Sequence, residues 1–168
     1  MKKLIISAGI CFSALFSVSS AFAQASATAN ASATIVTPIS IVKNTDMDFG
    51  NVATNGAVGT VVLTPAGTRT STGGVTLPAT TGTVTAASFT VSGSGSFTYA
   101  ITLPSSVTIT SGSDNMIVNT FTSTPSTTGI LTAGEQIITV GATLNLVASQ
   151  AEGAYTSATP FTVTVNYN

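Results

Sequence analysis

The sequence has 168 residues, of which 43% are hydrophobic and only 5% charged, with no histidine, no tryptophan and a single cysteine. Those absences exclude a histidine-based hydrolase triad, the commonest metal ligand and any disulfide within the chain. Four basic residues cannot neutralise a run of phosphates or form a polybasic lipid patch, so nucleic acid is excluded as a partner and an anionic membrane surface with it.

Residues 1–23 read as an export signal. Lys2 and Lys3 give a positive start, Leu4 to Val18 an apolar stretch, and Ala21-Phe22-Ala23 the small-x-small cleavage pattern. The apolar stretch is shorter than the roughly 20 residues that span a bilayer. Cleavage is therefore expected before Gln24, with no transmembrane anchor left behind. Cys11 would leave with the signal, and the exported chain would hold two basic residues, Lys43 and Arg69, against five acidic ones. Its surface must then be built from Thr, Ser, Asn and Gly. Such a surface is hydrated but nearly uncharged, and it does little to discourage association.

Residues 24–34 form an alternating arm. Every odd position from Ala25 to Ala33 is Ala, and the even positions are Ser26, Thr28, Asn30, Ser32 and Thr34. Ala29, Ala31, Ala33 and Ile35 make one apolar face, which marks them as a candidate donor strand. Alanine is a poor strand former, so the arm is weakly structured alone. Residues 35–168 then read as a single domain. Pro38 cannot donate to a ladder and marks an edge, a bulge or a switch between sheets.

Asp46 and Asp48 are the one pair of carboxylates close in sequence. They are a weak calcium candidate, since Phe49 and Asn55 stand where a calcium loop needs Gly and Glu. The other reading is a solvated turn in which Phe49 packs inward and Gly50 bends the chain. Thr64 to Gly82, rich in Thr, Ser and Ala and broken by Pro and Gly, reads as a long loop with one or two short strands, such as Gly74 to Leu77.

Period two dominates the rest of the chain, the spacing that puts alternate side chains on opposite faces of a strand. Phe89 and Val91 share a face, as do Phe97, Tyr99, Ile101 and Leu103. Met116 and Val118 lie opposite Ile117, Asn119 and Phe121. Ile138 to Ala148 makes the longest stripe, and Phe161, Val163, Val165 and Tyr167 the last. Gly73-Gly74, Gly93 to Gly95, Pro104 to Ser106, Ser111 to Asn115, Pro125 to Gly129 and Glu152-Gly153 read as turns. Roughly eight to ten strands at this spacing predict an all-β protein, an immunoglobulin-like antiparallel β-sandwich with a closed barrel as the alternative.

Several stretches together resemble a bacterial secreted family known as domain of unknown function 4402. They are Ala33 to Ile41, Asp46 to Asn51, Phe89 to Val91, Ile101 to Pro104, Gly141 to Leu144, Gly153 to Tyr155 and Phe161 to Asn168. The ending, with Gly153, Tyr155 and the strand Phe161 to Tyr167, also looks like that of fimbrial subunits of the chaperone-usher route and their spore-coat-U-like relatives. That resemblance implies an assembly strand at Phe161, Val163, Val165 and Tyr167, served by a periplasmic chaperone, and a donor arm that completes a neighbour. It brings no catalytic residues. The chain departs from the better-known subunits in lacking their disulfide and in presenting Ala along its arm. The other reading is that both terminal strands pair within their own sandwich.

The expected function is that of a non-enzymatic structural subunit of a surface filament, fimbria or extracellular matrix, at the periplasm, cell surface or beyond. It would self-associate or join other surface subunits, with no cofactor. The alternative is a monomeric secreted module that binds carbohydrate or another surface ligand.

Overall fold

A computed structural model describes residues 23–168. The expected export signal therefore lies, apart from Ala23, outside the described residues. The chain divides into two units at Thr34/Ile35. In the first, residues 23–34 are exposed and belong to no strand. The second unit holds ten strands, and no helix occurs among the described residues.

The strands are β1 (Ser40–Thr45), β2 (Ala53–Leu63), β3 (Arg69–Thr76), β4 (Ala87–Ser92), β5 (Thr98–Thr102), β6 (Ser106–Ser111), β7 (Asp114–Thr124), β8 (Thr128–Ile130), β9 (Glu135–Leu146) and β10 (Thr164–Tyr167). All pairings are antiparallel. Seven strands form one sheet and β10-β5-β8 the other, as a β-sandwich whose sheets are open. The closed-barrel alternative is thereby set aside: edge strands such as β1, β3 and β6 each pair on one side only.

The large sheet is organised by β9. Its first half, Glu135–Val140, pairs with β4, and Ala142–Leu146 pairs with β2. β7 pairs with Thr139–Asn145 and so occupies the opposite edge. Two strands thus share one edge of β9 in succession, and the break falls at Gly141. A side chain on Gly141 would run into the Leu63 carbonyl and Pro65, where β2 leaves the sheet. Ile138, Val140, Ala142, Leu144 and Leu146 all point inward, as the alternation predicts, while Ala148 lies beyond the strand and is exposed.

Two apolar clusters fill the interior. The first packs Phe89 and Val91 of β4, with Ile138 and Val140 of β9, against Tyr99, Ile101, Val163 and Val165 from the small-sheet side. The second sits under the other half of β9 and gathers Val61, Val75, Met116, Val118, Leu144 and Leu146. No strand of the small sheet covers this second half. Met47, Phe49, Val52 and Tyr155 from connecting segments pack there instead. Each buried aliphatic or aromatic side chain contributes about 1.5–3 kcal/mol.

Three sequence expectations change. Arg69–Thr76 is a full strand rather than part of a loop, paired with β2 along its length. Gly73 and Gly74 lie inside that strand, where β2 shifts register between Thr54 and Gly59. Their missing side chains let the backbone of Ala57 and Val58 come close. Phe121 faces the core with Met116 and Val118, not away from it. The cause is a one-residue bulge between Asn119 and Thr122, with Thr120 at φ 50, which reverses the parity of β7.

Candidate functional site

The Asp46–Asn51 segment bridges β1 and β2. Asp46 meets Lys43 at 2.7 Å in an exposed ion pair, a type worth little in water. Asp48 Oδ1 accepts the Gly50 N–H at 2.7 Å, closing a turn on its own side chain. The Asp48 backbone also exchanges hydrogen bonds with Thr85. Gly50 sits at φ 65, and a side chain there would meet Val84 and the Thr81 carbonyl. Phe49 turns inward, as in the solvated-turn reading, and Met47 packs on the same cluster. Among the described residues no three acidic side chains converge.

Arg69 fastens this segment from below. Its guanidinium donates to the carbonyls of Phe49 and Asn51, the latter at 2.8 Å, and reaches Thr81 O at 3.4 Å. Asn51 adds a second tie, its backbone N–H to Thr81 O at 2.7 Å. Sequence reasoning missed this role. The available signal was that Arg69 is the only arginine in the chain, and a rigid fork of donors suits several carbonyls at once.

The sequence-predicted assembly strand is placed in two parts. Phe161 packs on Phe121 with ring centroids 5.0 Å apart. Val163 and Val165 enter the first core cluster. Thr164–Tyr167 pairs with β5 along one edge. Asn168 N–H donates to Thr98 O, so by alternation Val165 and Tyr167 turn their backbone groups away from β5. Tyr167 closes the strand: its hydroxyl accepts the Ser94 N–H at 2.6 Å and donates to Thr37 O at 2.9 Å.

A second open edge belongs to β6. Thr110 exchanges both backbone hydrogen bonds with Thr156, away from β7. By alternation the N–H and C=O of Thr108 and Ser106 also point away from β7. Beyond Thr156 the chain diverges, and a slot of about 510 Å³ opens between β6 and Ala158–Thr162. It leads toward a larger cleft of about 1080 Å³, floored by Met116, Val118, Leu144 and Leu146 of the second cluster. Lys43, Asp46, Asp48 and Glu152 lie on the rim of that cleft. The candidate donor residues Ala29, Ala31 and Ala33 lie in the exposed arm, and Ile35 is 98% exposed. No helix among the described residues is long and apolar enough to cross a membrane.

The family described as Domain of unknown function (DUF4402) matches residues 39–167, and the chain belongs to it. No curated protein and no solved structure matches the chain.

Proposed function

We propose that this protein is an exported, non-enzymatic structural subunit that associates with copies of itself by β-strand addition, as part of a filament, fimbria or extracellular matrix. In this reading the sandwich is immunoglobulin-like and akin to fimbrial subunits. The carrying observation is that the alternating arm at residues 24–34 buries none of its alanine face, in a chain whose strands β6 and β10 have open, uncharged edges. An open edge without charge or proline is a template for another strand. Strand addition gains affinity from main-chain hydrogen bonds and specificity from alternate side-chain pockets. The side chains on hand argue for structure over catalysis: there is no histidine, and Asp46 and Asp48 are engaged by Lys43 and the Gly50 N–H.

The test is negative-stain microscopy of the chain from Gln24 beside a truncation from Ile35. Fibres or oligomers are expected from the first alone. Identical monomers from both would refute strand donation.

The second reading, a monomeric binding module, draws on the cleft of about 1080 Å³ with its apolar floor. Pockets of this size hold small ligands when a few polar groups fix their orientation. A panel of polysaccharides that leaves the melting temperature unmoved would count against it.

A further inference from the structure

We propose that Asn55-Gly56 is a self-modification site, at which the Asn55 side chain loses ammonia through a cyclic imide with the Gly56 backbone and leaves an aspartyl or isoaspartyl residue. The chemistry needs water alone as co-reactant and is independent of how the chain associates.

Asn55 is the only asparagine in the chain that is followed by glycine. Glycine has no Cβ, so nothing shields its nitrogen from the preceding side chain. The fold singles out the same pair. β2 pairs with β3 at Thr54–Val75 and next at Gly59–Gly73, so residues 55–58 lie opposite Gly74 alone. Pairing of β2 with β9 begins only at Gly59. Asn55 and Gly56 are exposed. They therefore sit where neither neighbouring strand holds the backbone in a ladder. One tie, from the Ser149 N–H to the Gly56 carbonyl at 2.9 Å, fixes the peptide that follows and leaves the Gly56 nitrogen outside the main-chain pairing.

The Asn55 side chain is folded back over this backbone. Its Oδ1 accepts the Ala57 N–H at 3.0 Å, a turn that carries the amide carbon toward the intervening Gly56 nitrogen. The same N–H stands at the oxygen that gains negative charge when the nitrogen adds. The Gly56 N–H donates to Thr54 Oγ1 at 3.1 Å, so the departing proton has a hydroxyl beside it that can pass it to water. Other asparagines are held differently. Asn44, Asn51 and Asn145 each donate through Nδ2 to another residue, and they precede Thr45, Val52 and Leu146. Asn55 is bound through its oxygen, which leaves the departing nitrogen unrestrained.

The steps balance without oxidant or reductant. The Gly56 nitrogen gives its proton to solvent and bonds to Asn55 Cγ. The Cγ–Nδ2 bond breaks, the nitrogen takes up a proton and leaves as ammonia, and a succinimide ring remains. Water then adds to one imide carbonyl. Breaking the bond from Gly56 N to Cγ gives aspartate; breaking the bond from Gly56 N to the Asn55 main-chain carbon gives isoaspartate. Isoaspartate adds one carbon to the main chain of β2 opposite Gly74. Space there is short: a Cβ on Gly74 would strike Asn55 Oδ1 and the Ala57 carbonyl. β3 is an edge strand held by β2 alone, so the product loosens β3.

The test is peptide mapping by mass spectrometry of the chain from Gln24, kept folded in mildly alkaline buffer made with oxygen-18 water. Asn55 should exchange its NH2 for OH, with the oxygen drawn from the solvent, ahead of every other asparagine. The exchange should run at least as fast in the folded chain as in urea. An Asn55 that reacts in urea but stays intact in the folded chain would overturn the proposal, as would another asparagine reacting first. Isoaspartate should exceed aspartate among the products, and aspartate alone would overturn the imide route. Asn55→Gln keeps an amide but must close a larger ring, so that position should hold its native mass; an undiminished exchange there would also overturn the imide. Hydrogen exchange across Arg69–Thr76 should be faster in the isoaspartyl fraction than in fresh chain. Unchanged exchange would overturn the loosening of β3 while leaving the chemistry standing.

Discussion

The Tyr167 hydroxyl donates to the Thr37 carbonyl at 2.9 Å while accepting the Ser94 N–H at 2.6 Å. One side chain near the C-terminus therefore joins the last strand, the β4–β5 turn and the segment entering β1. Gly93 makes room for it, since any side chain there would strike the phenol. Phe97 holds the ring from another side, with centroids 5.6 Å apart. Tyr167→Phe keeps the ring contacts and removes both hydrogen bonds. It should cost about 1–2 kcal/mol in urea unfolding, and a change within error would mean the hydroxyl is as well served by water.

Arg69 holds three carbonyls on two connecting segments. Arg69→Lys keeps the charge but loses the planar fork, and one ammonium cannot reproduce that geometry. The expected loss is about 1.5–3 kcal/mol, the scale of charged hydrogen bonds. Thermal unfolding followed by circular dichroism measures it, and full stability in the Lys variant would show that charge alone suffices.

Gly141 tests the fork in β9. Its backbone is not in the left-handed region, so Gly141→Ala tests space rather than conformation. The added methyl must displace Leu63 and Pro65, with an expected cost of about 1–3 kcal/mol. Gly56→Ala is a useful contrast: it has open space but sits at φ 89, so its cost is conformational.

Tyr99 gives the pH dependence. It is fully buried, and its hydroxyl donates to Gln136 Oε1 at 2.7 Å. Burial raises its pKa above the ordinary value of about 10, because the phenolate would lose its water. The fold therefore favours the neutral phenol. That stability is whole below the unfolded value and is lost as pH climbs through the raised folded value. Stability should fall at alkaline pH, and Tyr99→Phe should flatten the fall at a cost of about 1 kcal/mol near neutrality. An identical alkaline profile in the variant would assign the titration elsewhere.

Much of the interior was legible in the residues. The stripes Phe89/Val91, Ile138 to Leu146 and Val163/Val165 are buried as period two demands. Phe49 packs inward before the bend at Gly50. Other features left weaker traces. Strand β3 is mostly Thr, Ser and Gly, with Arg69 at its start and Val75 as its one large apolar side chain, so its alternation carries little hydrophobic contrast, and its order depends on pairing with β2. Phe121 changed faces because one extra residue at a bulge reverses parity, and nothing about Thr120 announces a φ of 50. The stripe on β9 was plain, but not that β4 and β2 share one of its edges. The open edge of β6 is a matter of which backbone groups find partners, and side-chain types do not record that.

The most direct measurement of strand donation is the molecular mass in solution of the chain from Gln24 and of its variant Ala29→Asp/Ala31→Asp/Ala33→Asp, by light scattering after size exclusion. Charges on the arm's apolar face cannot be buried without partners, while the folded domain from Ile35 onward keeps its own residues unchanged. The native chain should run as concentration-dependent multimers and the variant as a monomer that still unfolds cooperatively, with a midpoint independent of concentration. Equal masses for both would contradict assembly through the arm.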